Sequence, residues 1–205
     1  MTTSADVARA ARVVAGGGVV LYPAETVYGL GGDARRPDVA ARIHVLKGSD
    51  PGKPLLALTD AWERVEAWVE APAPVRRLWG EGAPSPLTLV LPATAAAPRA
   101  LVSADGFVGI RRTTSAPARA LIEATGTALF STSANPSGAP PPDRLGDVDA
   151  AIRRGVDATL DAGQTLDGHP STLARFDPRR VRFEVLRAGP VSAEAIAQAS
   201  GVGVG

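Results

Sequence analysis

An α/β fold built on a sheet of mixed strand direction is what this sequence predicts. Short β-branched apolar runs of strand length recur along the chain, and segments of helical period lie between them. The two types do not alternate strictly, as a doubly wound parallel sheet would require. With 205 residues, 45% of them apolar, there is material for one substantial core. No repeat and no long linker divides the chain. A single domain over 1–205 is expected, with its core from about 4 to 200.

The elements follow in order. Residues 4–15 have Val7, Ala10, Ala11 and Val14 on one helical face, and Gly16 to Gly18 stop them. Val19 to Tyr22 is a buried strand halted by Pro23, and Gly29 to Gly32 reads as a glycine-rich loop. Pro37 opens a second helix that turns Val39, Ala40, Ile43 and Leu46 inward and ends at Gly48. Residues 54–58 are strand-like. Residues 62–69 and 75–78 look helical, interrupted by Pro72 and Pro74. Strands are expected at 87–91 and 107–110, then a helix at 117–125 closed by Gly126, then a strand at 128–130. Pro140, Pro141 and Pro142 keep 136–142 out of helix and sheet. A short helix at 148–153, strands at 158–161, 171–176 and 182–187, and a helix at 193–199 complete the pattern. The tail 201–205, alternating Gly and Val, is expected to fray.

Composition excludes several classes of function. There is no cysteine, hence no disulfide, thiolate metal site or thiol nucleophile. His44 and His169 lack ligand spacing, and His44 reads as the flank of the second helix rather than a catalytic group. Residues 1–6 have neither a basic n-region nor an apolar h-region, and no apolar run approaches the ~20 residues of a membrane span, so a soluble cytoplasmic protein with no membrane partner is the default expectation. Segment 48–53 fails as a phosphate-binding P-loop: it is one residue short, and Pro54 stands where a hydroxyl must bind magnesium. No G-x-G-x-x-G opens a helix and no G-x-S-x-G elbow occurs.

What remains is a set of strand ends rich in small and hydroxylic residues. Lys47 and Lys53 are the only lysines among 22 basic residues, and they share one turn-rich segment. An ammonium serves as a point charge for phosphate. Tyr22 to Leu30, Ser131 to Gly138 and Pro170 to Leu173 have the same character, suited to neutral hydrogen bonds with phosphate, ribose or carboxylate, and Arg111 adds charge. Any one of these segments alone would be a turn.

In combination, Y-P-x-E-T-V-Y-G-L at 22–30 and S-T-S-A-N-x-S-G at 131–138 resemble the YrdC-like family, the threonylcarbamoyl-AMP synthases. The shorter segments 86–91, 108–111, 170–172 and 186–189 follow in the family's order, so the likeness runs from about Gly18 to Gly189. The resemblance implies a twisted mixed sheet with flanking helices around a deep concave site. It implies condensation of L-threonine, bicarbonate and ATP to threonylcarbamoyl-adenylate and pyrophosphate. That product feeds a threonylcarbamoyl transferase complex acting on adenosine 37 of tRNA. Mg²⁺ is implied with the ATP, with no metal held by the protein.

By the same resemblance Thr26, Arg111, Ser133 and Ser171 hold threonine. Lys47, Lys53, Ser131, Asn135 and Arg187 hold ATP, and Lys47, Ser133 and Asn135 surround the reacting centre. The family's arginine two residues after Lys47 is Ser49 here, so either Arg35, Arg36 or Arg112 supplies that charge or the activity differs. Two alternatives stay open. One is a relative without catalysis that binds nucleotide, tRNA or double-stranded RNA through the arginine doublets; the other makes a different carbamoyl-adenylate.

Overall fold

The computed structural model describes residues 2–80, 83–161 and 169–205. Nine strands among these residues form one sheet. They are β1 (Val20–Pro23), β2 (Tyr28–Gly31), β3 (Leu56–Thr59), β4 (Leu87–Pro92), β5 (Phe107–Arg112), β6 (Leu129–Ser133), β7 (Ala158–Thr159), β8 (Thr172–Asp177) and β9 (Arg182–Arg187). Their order across the sheet is β7-β1-β2-β6-β3-β5-β4-β8-β9. Pairs β1/β7, β3/β5 and β4/β8 are parallel and the other five are antiparallel, the mixed direction expected.

Successive residues of a strand face opposite sides of the sheet, and the core divides accordingly. Val20, Tyr22, Leu58 and Leu129 join Ala10 and Val14 of α1 (Ser4–Ala15) and Leu121 and Ile122 of α4 (Ala116–Thr125). Their strand neighbours Leu21, Ala57 and Phe130 join the larger cluster. That cluster takes in Val39 and Ile43 of α2 (Pro37–Lys47), Leu78 of α3 (Ala73–Trp79), Ile152 of α5 (Ala150–Gly155) and Ile196 of α6 (Ala193–Ser200). No described helix is long and apolar enough to cross a membrane.

Helix ends follow the punctuation in the sequence. Thr3 and Asp6 form a reciprocal capping box at α1. Pro37 stands in the first turn of α2, and Gly48 ends that helix at φ 57°, a left-handed conformation that glycine adopts without a Cβ penalty. This turn sends the chain back toward the sheet and leaves Lys47 at the helix end, beside the 133–137 segment: Ser137 N donates to Lys47 O at 2.8 Å.

The structure departs from the sequence reading in four places. The glycine-rich stretch 29–32 is largely strand β2, not loop. Its glycines are there for close packing: a Cβ on Gly31 would lie 2.2 Å from Phe130 O and 2.9 Å from the Tyr22 ring. Residues 62–69 form two 3-10 turns, Trp62–Arg64 and Glu66–Trp68, rather than an α-helix. Val65, Trp68 and Val69 are the residues of this stretch that reach the core. The strand at 158–161 shrinks to Ala158–Thr159. The tail expected to fray lies along β9: Phe183 N donates to Gly203 O at 3.0 Å and Gly205 N to Phe183 O at 2.9 Å. The edge strand β9 has free backbone groups, and the Gly-Val tail can satisfy them.

Candidate functional site

Register brings distant residues together. Arg111 on β5 sits opposite Thr88 on β4, Thr88 opposite Leu173 on β8, and Leu173 opposite Arg187 on β9. On the other flank Ser131 of β6 faces Leu56 of β3, and Ser133 faces Gly29 of β2. These strand tips, with the loops beyond them, enclose a cavity of about 430 Å³. Thr26, Lys53, Arg111, Ser131, Ser133, Asn135, Ser171 and Arg187 all line it. Lys47 lies one step away in a side chamber of about 100 Å³, which shares Lys53, Ser133 and Asn135 with the main cavity. The nine residues that the resemblance implied for threonine and ATP thus line these two adjoining hollows.

The walls are held by specific hydrogen bonds. Lys47 Nζ donates to the main-chain carbonyls of Ser133 and Asn135, the latter at 2.7 Å. Burial and the nearby ammonium of Lys53 bring the Lys47 pKa down to about 8. Tyr22 Oη bonds Ser131 Oγ at 2.9 Å, and burial pushes the phenol well above its usual range. Ser171 Oγ pairs with Thr88 Oγ1 at 2.8 Å, while its carbonyl accepts from Arg187 Nη2 at 2.9 Å and Nε at 3.2 Å. Burial and the charge of Arg111 lower the pKa of Arg187, so the two guanidiniums repel each other across the cavity.

Arg111 in turn pairs through Nη2 with Glu25 Oε2. The other oxygen of Glu25 accepts from Thr113 Oγ1 at 2.6 Å and from the backbone N–H groups of Thr114 and Ser115. Burial alone would raise this carboxyl; the Arg111 charge and these donors bring it below its ordinary value. Glu25 was not singled out from the sequence. A signal was there: a carboxylate inside the apolar segment 22–30 needs a buried cationic partner. Thr132 also lines both chambers unforeseen.

Two features describe what would fit. Among the described residues no carboxylate lines the main cavity, whereas Lys53, Arg111 and Arg187 do. And Thr26 Oγ1, Arg111 Nε and Asn135 Oδ1 are buried without a hydrogen-bond partner. Buried polar groups are normally satisfied. Three such atoms on one cavity mark a hollow shaped for a polar, anionic guest.

The arginines expected to stand in at Ser49 are engaged elsewhere. Arg35 pairs with Asp33, Arg36 with Asp38, and Arg112 donates to the carbonyls of Trp79 and Gly80. None lines either chamber. Ser49 instead bonds His44, which is buried and part of the side chamber rather than a flanking surface residue.

Known proteins resemble this chain in sequence and in fold. A threonylcarbamoyl-AMP synthase of Thiobacillus denitrificans is 42% identical over 130 residues, 61% of this chain and 67% of the relative. One of Xanthomonas campestris pv. campestris is 32% identical over 187 residues, 88% of this chain and 95% of the relative. Among solved structures, P. abyssi Sua5 complexed with L-threonine superposes with a TM-score of 0.87 at 30% identity, covering 97% of this chain. This chain spans only 58% of the length of that Sua5 chain. The Sua5/YciO/YrdC family model, described as telomere recombination, matches residues 12–189. With nearly its whole fold inside that match, the chain belongs to the Sua5/YciO/YrdC family.

Proposed function

We propose that the chain is a threonylcarbamoyl-AMP synthase, condensing L-threonine, bicarbonate and ATP. The observation that carries this reading is the cavity, in which a hydroxyl (Thr26 Oγ1), an amide oxygen (Asn135 Oδ1) and a guanidinium nitrogen (Arg111 Nε) without internal partners meet cationic side chains. The naming of relatives as threonylcarbamoyl-AMP synthases, and of a neighbour as a threonine complex, supports it.

In this reading Arg111 takes the threonine carboxylate. A fork held on one side by Glu25 keeps Nε free for a charge-assisted bond. Thr26, Ser133 and Ser171 complete the amino-acid subsite. Lys47, Lys53 and Arg187 neutralise the nucleotide's phosphates, and Ser131 and Asn135 position it. Threonine amine and bicarbonate give the N-carboxylate with loss of water. One of its oxygens forms a bond to the α-phosphorus as the bond to the β-phosphate oxygen breaks, and pyrophosphate leaves. No side chain here acts as a nucleophile. The rate comes from positioning and from charge placed where the leaving phosphates develop it. A magnesium ion brought in on the triphosphate would supply further neutralisation there; among the described residues no three His, Cys, Asp or Glu side chains are grouped to hold one. The product passes to a transferase that modifies tRNA.

Pyrophosphate release tests the proposal. Wild-type chain releases it only when threonine, bicarbonate and ATP are all present, and Lys47→Ala abolishes the release. Undiminished release by Lys47→Ala contradicts the role given to that ammonium. Salt-sensitive binding of double-stranded RNA without binding of ATP or threonine favours an RNA-binding module instead.

A further inference from the structure

The side chamber contains a pair of side chains that the proposed reaction leaves unused. His44, in the last turns of α2, is 4% exposed. Its Nδ1 lies 2.8 Å from Ser49 Oγ, and both side chains line the chamber together with Lys47 and Lys53. No carboxylate among the described residues lines that chamber. Asp50, the acidic group whose charge bears on the imidazole, accepts a bond from Gly52 N at 2.8 Å and stands outside the lining.

We infer that His44 and Ser49 form a proton-gated donor for the polyphosphate end of the nucleotide, in which the arriving anion favours uptake of a solvent proton by His44 and so frees the Ser49 hydroxyl to bond the anion. The identity of the anion rests on the synthase reading; the device itself rests on the pair and its cationic surroundings.

The chemistry follows from the donor inventory of the two groups. A neutral imidazole has one nitrogen that donates and one that accepts, and the Ser49 hydroxyl can spend its hydrogen on Nδ1. In the imidazolium both nitrogens donate. Nδ1–H then donates to Ser49 Oγ, and the serine hydrogen must find another acceptor. Within the chamber that acceptor is a phosphate oxygen. The proton taken up by His44 comes from solvent.

The surroundings set the two states apart. In the empty chamber burial disfavours the imidazolium; Asp50 favours it; Lys47 and Lys53 disfavour it, and the net pKa lies below the ordinary histidine value. The free chamber thus holds its two ammoniums without a third cation at neutral pH. A polyphosphate between them reverses the local sign and favours the protonated ring. The chain lacks an arginine at position 49, and this pair gives it a cationic donor only when there is an anion to receive it.

Proton NMR reads the device directly, because the chain has two histidines, His44 and His169. The imidazole resonances are titrated with and without saturating inorganic pyrophosphate, and assigned with a His169→Gln variant. The expected result is a rise of about one unit in the His44 midpoint, equivalent to about tenfold tighter pyrophosphate binding by the protonated form. Ser49→Ala keeps the rise and binds pyrophosphate several-fold more weakly. An unmoved His44 midpoint at saturation, or no pyrophosphate binding by the wild type, overturns the inference. No step of this test needs turnover. A chain that makes no adenylate yet shows the rise would retain the chamber and overturn only the reaction.

Discussion

Glu25, in the β1–β2 connection, holds Arg111 of β5 in an ion pair whose side chains are 11% and 10% exposed. The pair joins the first hairpin of the sheet to its centre and fixes one edge of a guanidinium whose Nε has no internal partner. Removing one member of a buried pair leaves the other charge uncompensated. Glu25→Ala is expected to cost about 3–5 kcal/mol of folding stability in urea denaturation and to weaken threonine binding in calorimetry. A cost under about 1 kcal/mol, the range of exposed pairs, would mean that the pair does not anchor the site.

The same pair gives an acid response of defined sign. The Glu25 carboxyl is lowered in the folded state. Its contribution to stability is complete above the ordinary glutamate range and is lost as pH falls through the lowered folded value. Urea midpoints measured from pH 6 downward should drop more steeply for wild type than for Glu25→Gln, which keeps acceptor capacity without the charge. Parallel curves would remove Glu25 from the acid response.

Thr26→Val separates binding from folding. Thr26 Oγ1 is buried and makes no bond within the chain, so replacing the hydroxyl with a methyl removes an unsatisfied group. Stability is expected to hold or to rise by up to about 1 kcal/mol, while threonine affinity falls about tenfold, roughly one lost hydrogen bond. Lost stability with unchanged affinity would place this hydroxyl in the fold rather than the site.

Lys47 carries the opposite linkage to Glu25. Its pKa falls from 10.5 to about 8 on folding, so the unfolded chain binds more protons between those values and stability rises with pH across that window. Relative to Lys47→Met, wild type should gain on the order of 1–2 kcal/mol between pH 7 and 9.5. Pyrophosphate affinity should move the other way, weakening as the free ammonium titrates above about pH 8. Calorimetry at pH 7 and 9 on the same two proteins checks both directions.

The sequence was most legible where chemistry and punctuation coincide. Proline and glycine stops located α2 and α4, and hydroxyl-rich strand ends located the cavity. It was least legible where tertiary packing overrides local preference. Strand β2 has the composition of a loop, because its glycines admit the Tyr22 ring of the paired strand and the carbonyl of Phe130, about a hundred positions on, contacts that exist only once the sheet has formed. Gly31→Ala should therefore cost about 1–3 kcal/mol through overpacking, although alanine suits a strand no worse than glycine. Glu25 was hidden for a related reason: its partners Arg111, Thr113 and Ser115 lie some ninety positions away, and only the fold brings them to it. The His44–Ser49 pair is not visible as a pair in the sequence, because helix α2 ends between them and only the turn at Gly48 folds one back on the other.

Mass spectrometry of the nucleotide products formed from L-threonine, bicarbonate and ATP bears most directly on the claim that one cavity seats a nucleotide beside an amino acid. The predicted result is an adenylate whose mass includes both threonine and one carboxyl carbon, labelled when the bicarbonate is labelled, and accompanied by equimolar pyrophosphate. Recovery of unchanged ATP, or of an adenylate lacking threonine, would contradict it.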